Sequence, residues 1–176
     1  MVILDDIADR KALIEAAGIK EGRVLDVGMG NCGCMAFFLA SGGFQVVGID
    51  RSPEAVRKSK KDAQKEIFSG TFEARVANGE HLPFGDDEFD AVVTYHALHH
   101  MENVEQVLAE MFRVCKPLGV VLIADLNEKG LKAYQHDADD CKLPQTVELC
   151  LLEYSHSIQK VETEINFMFI CQKKLK

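Results

Sequence analysis

Short runs rich in β-branched residues alternate along this chain with longer stretches of helical period, and that alternation limits the fold more than any other feature. Residues 23–27 (RVLDV), 45–49 (QVVGI), 72–76 (FEARV), 89–94 (FDAVVT) and 119–124 (GVVLIA) read as buried strands. Strands linked by helical crossovers run parallel, and a parallel sheet must be covered on both faces. The expected class is therefore α/β, with helices packed on either side of one sheet. Asp6 to Ala17 reads as a helix ended by Gly18, and Cys34 to Ala40 as a helix that follows a glycine-rich loop. Ser52 caps a third helix with Pro53 in its first turn, and its inner face is read as Val56, Ala63 and Ile67. From Asn103 to Cys115, Asn103 and Gln106 resemble a capping box ahead of the stripe Val104, Val107, Leu108, Met111 and Cys115; Lys116-Pro117-Leu118-Gly119 then stops the helix.

Beyond Asp125 the pattern changes. Residues 127–140 are polar and read as mixed helix and loop, with a short helix around Thr146 to Leu152. The ending SIQKVETEINFMFICQKK, from Ser157, reads as two strands joined tightly around Thr163 to Asn166, so the last strand runs against its neighbours. A length of 176 residues suits one domain over 1–176, able to bury roughly 70% of its unfolded surface. The net charge of -8 argues against a broad nucleic-acid surface, which depends on clustered Lys and Arg. No apolar run is long enough to cross a bilayer, and the acidic start MVILDDIADRK lacks the positive region of an export signal, so the expected location is cytoplasmic. Cys32, Cys34, Cys115, Cys141, Cys150 and Cys171 have no paired zinc spacing and read as reduced thiols, with Cys32 and Cys34 filling a turn.

The chemistry concentrates at LDVGMGNCG, residues 25–33. Gly28, Gly30 and Gly33 spell G-x-G-x-x-G, and Asp50 lies about 20 residues on, which is the pattern of a dinucleotide site. An NAD-dependent oxidoreductase is one reading of that loop. Asp26 opposes it, because a carboxylate two residues before Gly28 suits a cationic amino group and repels a pyrophosphate. The run VLDVGMGNCG resembles motif I of the class I S-adenosylmethionine-dependent methyltransferases, with Cys32 standing where that family has its third glycine. VVGID, VANGEHLPFGDDEFDAVV, YHALHHMEN and EMFRVCKPLGVVLIADLN are similar to further stretches of the same family, in order and spacing.

The resemblance implies a Rossmann-like, seven-stranded, mainly parallel sheet of order 3-2-1-4-5-7-6 with strand 7 antiparallel. It implies S-adenosylmethionine as the methyl donor, S-adenosylhomocysteine as product, and a small molecule of the quinone-precursor kind among the acceptors. Asp26, Gly28, Gly30 and Asn31 would then border the methionine end. Asp50 would hold the ribose hydroxyls with Arg51 beside it, Asn78 and Gly79 would meet the adenine, and Tyr95 would border the methyl. Asp50 also reads as a strand end in solvent, Asn78-Gly79 as an ordinary turn pair, and the whole chain as a non-catalytic interaction protein that keeps the fold.

Among the histidines, His96 has the better claim to face a substrate and is the candidate catalytic residue. His99 and His100 read as packing or capping groups, His81 as a surface-loop residue, His156 as a strand-edge residue, and His136 as a substrate contact. No metal site is expected, since a further ligand is not placed. So short a chain leaves little to cover a pocket. The acceptor is then small or bound openly, or a homodimer or partner subunit completes the pocket.

Overall fold

A computed structural model describes residues 6–134 and 143–175. Helices and strands alternate as α1 (Asp6–Ala17), β1 (Arg23–Val27), α2 (Cys34–Ser41), β2 (Gln45–Asp50), α3 (Pro53–Ala63), β3 (Thr71–Val76), β4 (Phe89–Tyr95), α4 (Val104–Val114), β5 (Cys115–Leu126), α5 (Glu128–Ala133), α6 (Leu143–Tyr154), β6 (Ser155–Glu162) and β7 (Asn166–Lys173). They build one sheet of order β3-β2-β1-β4-β5-β7-β6. β1 to β5 pair in parallel, whereas β7 is antiparallel to both β5 and β6. The predicted order and the reversed strand are both present.

Successive side chains of a strand point to opposite faces, so each central strand feeds two cores. Leu25, Val92, Ile123 and Phe169 pack on the face that carries Leu108 and Met111 of α4 and Leu151 of α6. Val24, Ala91, Leu122 and Met168 pack on the other, with Leu13 of α1 and Leu39 of α2. This double burial is why the strands read as continuous apolar runs rather than as alternating ones.

Local signals held with three adjustments, one of them at β5, which begins at Cys115 and contains Lys116-Pro117-Leu118-Gly119, read from sequence as the stop of the preceding helix. Ser52 Oγ accepts from Ala55 N at 3.2 Å and caps α3, and Val56 is buried. The helix stops at Ala63, however, leaving Ile67 outside it and 95% exposed, so Ile67 is no part of the inner face. Asn103 Oδ1 accepts from Gln106 N at 3.1 Å, but the reciprocal half of the box is made elsewhere. Glu80 Oε1 accepts from Asn103 N, and Gln106 Nε2 donates to the Glu80 carbonyl, tying α4 to the loop after β3.

The cysteine expectation needs correction. Cys32 and Cys34 are joined by a disulfide, with 5.1 Å between their Cα atoms, rather than being reduced turn fillers. The backbone turns left-handed between them, at Gly33 (φ 58°), and brings the two side chains to the same side of the loop. Cys115, Cys150 and Cys171 are free, and Cys141 lies outside the described residues.

Candidate active site

The loops that leave the carboxyl ends of β1, β2, β3 and β4 meet in a crevice of about 320 Å³, at the low end for small-molecule sites. Val27, Gly28, Gly30, Ile49, Asp50 and Arg51 form one wall; Ala77, Asn78, Gly79 and Glu80 form the second. His96, Ala97, His100, Met101, Glu102 and Val107 close the third. This is the position where open α/β sheets bind ligands, beside the point at which the strand order reverses.

The glycines make the cradle. Gly28 has φ 80°, and a Cβ there would stand 2.6 Å from the Cβ of Ala97. Gly30 has φ 66°, faces open space, and donates its N–H to Asp50 Oδ2 at 3.0 Å. Asp50 Oδ1 accepts from Ser52 N at 2.8 Å, so the same carboxylate that faces the crevice also ties the glycine loop to the start of α3. Ser59 Oγ holds the Gly30 carbonyl from the body of α3.

Asp26 occupies a different layer. It does not line the crevice; it is buried on the α1/α2 side of the sheet, two residues before Gly28, and accepts from Ala36 N in the first turn of α2. Its Oδ2 is buried with no hydrogen-bond partner among the described residues. Burial pushes this carboxyl from 3.8 up to about 7; the Ala36 N–H opposes the rise, the charge of Asp50 adds to it, and Arg10 opposes it weakly. A buried acid short of one partner stands ready for a cation nearby.

Asn78 and Gly79 both line the crevice. Asn78 Oδ1 accepts from Glu80 N at 3.0 Å, so the residue is both a turn former and part of the wall. Arg51 reaches across the mouth to Glu102 at 3.6 Å; both are well exposed, which makes the pair worth about 0–1 kcal/mol. Two expected contacts are elsewhere. Asn31 is exposed and not part of the crevice lining, its carbonyl accepting from Lys58 Nζ. Tyr95 is buried against the α1/α2 core and lies beneath His96, with ring centroids 4.3 Å apart.

His96 lines the crevice at φ 53°, anchored by its N–H to the Ala124 carbonyl. His99 turns inward instead. Its Nδ1 lies 2.5 Å from Asp125 Oδ1 and its backbone N–H donates to Asp125 Oδ2, pinning the short 3-10 turn Leu98–His100 to β5. His100 lines the crevice, which its packing role in the sequence did not foretell. His136 lies outside the described residues. Glu80, His100, Met101 and Glu102 were not singled out from sequence as wall residues; the available signal was their position beside NG and within LHHMEN. Among the described residues no group of three His, Cys, Asp or Glu side chains stands together as a metal site, and no helix is long and apolar enough to cross a membrane.

The strand order with its reversed seventh strand, and the crevice at the tips of β1, β2 and β4, define the Rossmann-like methyltransferase class. Solved structures agree on the fold. A methyltransferase from Methanosarcina mazei superposes with a TM-score of 0.73 at 24% identity, covering 93% of this chain and 97% of that one. Phosphoethanolamine N-methyltransferase 2 of Haemonchus contortus, solved with S-adenosylhomocysteine, gives 0.74 at 17% identity, covering 96% of this chain and 53% of that one. The family model described as a methyltransferase domain matches residues 25–123, and the chain belongs to that family.

Two curated relatives indicate how varied the acceptors are. A ubiquinone/menaquinone biosynthesis C-methyltransferase of Geotalea daltonii is 32% identical over 118 residues, 65% of this chain and 50% of that protein. Erythromycin 3''-O-methyltransferase of Saccharopolyspora erythraea is 34% identical over 136 residues, 76% of this chain and 44% of that protein. The chain thus spans about half the length of these relatives.

Proposed function

We propose that this protein transfers a methyl group from S-adenosylmethionine to a small-molecule acceptor. The observation that carries the reading is the pair of carboxylates at adjacent strand tips: Asp50 in the crevice wall, and Asp26 behind it with an unpartnered buried oxygen. Asp50, Glu80 and Glu102 outnumber Arg51 as charged groups of the lining, so the crevice favours a cation over a pyrophosphate. That is the charge character of the donor, and it disfavours the dinucleotide reading of the three glycines.

The donor, when bound, supplies an electrophilic methyl on a sulfonium centre. The residues present fit it. Asp50 accepts from the ribose hydroxyls, and Gly28 and Gly30 let the main chain approach the amino-acid end. Asp26 supplies negative charge to the amino group, Asn78 and Gly79 border the adenine, and Arg51 closes the rim. His96 and Tyr95 form the acceptor side, Tyr95 as the platform under the imidazole. Holding the partners in line supplies about 7–11 kcal/mol of a barrier in favourable cases, so positioning is the main work of such a site.

Calorimetric titration with S-adenosylmethionine, S-adenosylhomocysteine and NAD tests the reading. Binding of the first two without NAD is expected. Binding of NAD alone would overturn it in favour of an oxidoreductase, and binding of none would favour an interaction protein.

A further inference from the structure

His96 is joined to two residues far away in sequence. Its Nε2 lies 2.6 Å from Oδ1 of Asn166, the first residue of β7, which is fully buried. Asn166 Nδ2 donates to Asp9 Oδ2 of α1 at 2.5 Å. The same Asp9 oxygen accepts from Thr163 Oγ1 at 3.0 Å, and Thr163 Oγ1 in turn accepts from Asn166 N at 3.1 Å. A hydrogen-bonded chain therefore runs from the crevice wall to α1 through a buried amide.

The donor and acceptor roles along this chain are forced. A carboxylate only accepts, so the amide end facing Asp9 is the nitrogen, and the end facing His96 is the oxygen. An amide oxygen only accepts, so Nε2 of His96 carries a proton. A neutral imidazole has one N–H, which leaves the lone pair on Nδ1. Stacking on Tyr95 and an edge contact with Tyr134, centroids 6.1 Å apart, hold the ring against rotation.

We propose that Asn166 and Asp9 are positioning residues that lock His96 as its Nε2-protonated tautomer, so that Nδ1 serves as base toward an acceptor hydroxyl. This deepens, and rests on, the methyltransferase reading above. In the step so served, the acceptor oxygen forms its bond to the methyl carbon while its proton passes to Nδ1. The electron pair of the breaking carbon–sulfur bond stays on sulfur, which leaves as a neutral thioether. Acceptors that attack with a lone pair already in hand, such as thioethers and tertiary amines, have no use for this base.

Long-range proton–nitrogen NMR of the uniformly labelled protein, with His96 assigned from the His96→Gln spectrum and recorded on the deprotonated side of its titration, reads the tautomer directly. The wild type is expected to be predominantly Nε2-protonated. Asp9→Asn replaces a pure acceptor by a group that also donates, which frees the Asn166 amide to turn over and mixes the two tautomers. Melting of the same sample confirms that the variant is folded. A wild-type spectrum dominated by the Nδ1-protonated form, or an Asp9→Asn protein with wild-type populations, overturns the proposal. In the presence of S-adenosylhomocysteine, phenol is expected to shift Nδ1, whereas its methyl ether, anisole, is not; no shift with phenol, or equal shifts with both, overturns the hydroxyl assignment. Binding of S-adenosylhomocysteine, measured beforehand by calorimetry, tests the cofactor reading separately, since the tautomer result does not depend on it.

Discussion

Replacing Asp26 by Asn should stabilise the protein at alkaline pH while weakening its hold on the methyl donor. Burial lifts the Asp26 carboxyl from 3.8 to about 7, a rise of about three pK units. At about 1.4 kcal/mol per unit, ionised Asp26 costs the folded state about 4 kcal/mol. The sign follows from proton counts: between the two pKa values the folded chain holds a proton that the unfolded chain has lost. Stability therefore falls as pH rises through that window and levels off above about 7. Asn cannot ionise, so the variant lacks this slope. Its amide leaves a neutral buried group short of a partner, which costs about 1–3 kcal/mol, but that offset is independent of pH.

Urea unfolding of both proteins at about pH 5 and about pH 8 isolates the effect. The stability of Asp26→Asn relative to wild type should improve by about 2–3 kcal/mol between those two pH values, or by about 5–10 °C in melting temperature for a chain this size. The same ionisation should make wild-type affinity for S-adenosylhomocysteine climb as pH passes upward through about 7, because the ligand's ammonium group favours the charged acid. Asp26→Asn should flatten that rise. A stability difference that stays constant with pH would refute the claim that Asp26 is buried without enough compensation.

Asp50→Asn removes the charge of a carboxylate that accepts from Gly30 N and Ser52 N and, in the proposed function, from the ribose; losing charge-assisted bonds of about 1.5–3 kcal/mol should weaken S-adenosylhomocysteine roughly 10- to 100-fold by calorimetry. An unchanged dissociation constant would contradict the role. Gly28→Ala drives a Cβ to 2.6 Å from that of Ala97 at φ 80°, and should cost about 2–4 kcal/mol in denaturant unfolding together with ligand binding; full retention of both would mean that the loop is not held as described. Asn103→Ala deletes the cap on α4 and should cost about 1 kcal/mol in the same assay while leaving ligand affinity unchanged, since Asn103 does not line the crevice.

Tyr95, expected at the ligand, instead lies beneath His96 of the crevice wall. Strand alternation decides this: Tyr95 shares its parity with Ala91 and Val93, both in the core on the α1/α2 side. The same parity places Asp26 with Val24 on that side, behind the crevice rather than in it.

Sequence alone determined the strands and helices, because apolar period, caps and breakers are local properties that survive in one dimension, while the strand order came from the family resemblance. β1 has its predicted bounds, and the closing hairpin reverses β7 as its short connection requires. It also singled out Gly28, Gly30, Asp50, Asn78, Gly79 and His96, which the structure brings together in the wall of one crevice. Only the tertiary structure decided what each group meets. The unpartnered oxygen of Asp26, the Cys32–Cys34 bond and the crevice role of His100 depend on burial and backbone turns that composition does not encode. The chain from His96 to Asp9 spans residues 157 positions apart at one link. Hydrogen-bond roles of that kind arise when insertion of a reversed strand brings α1, β4 and β7 to one place, and no local pattern records such a meeting.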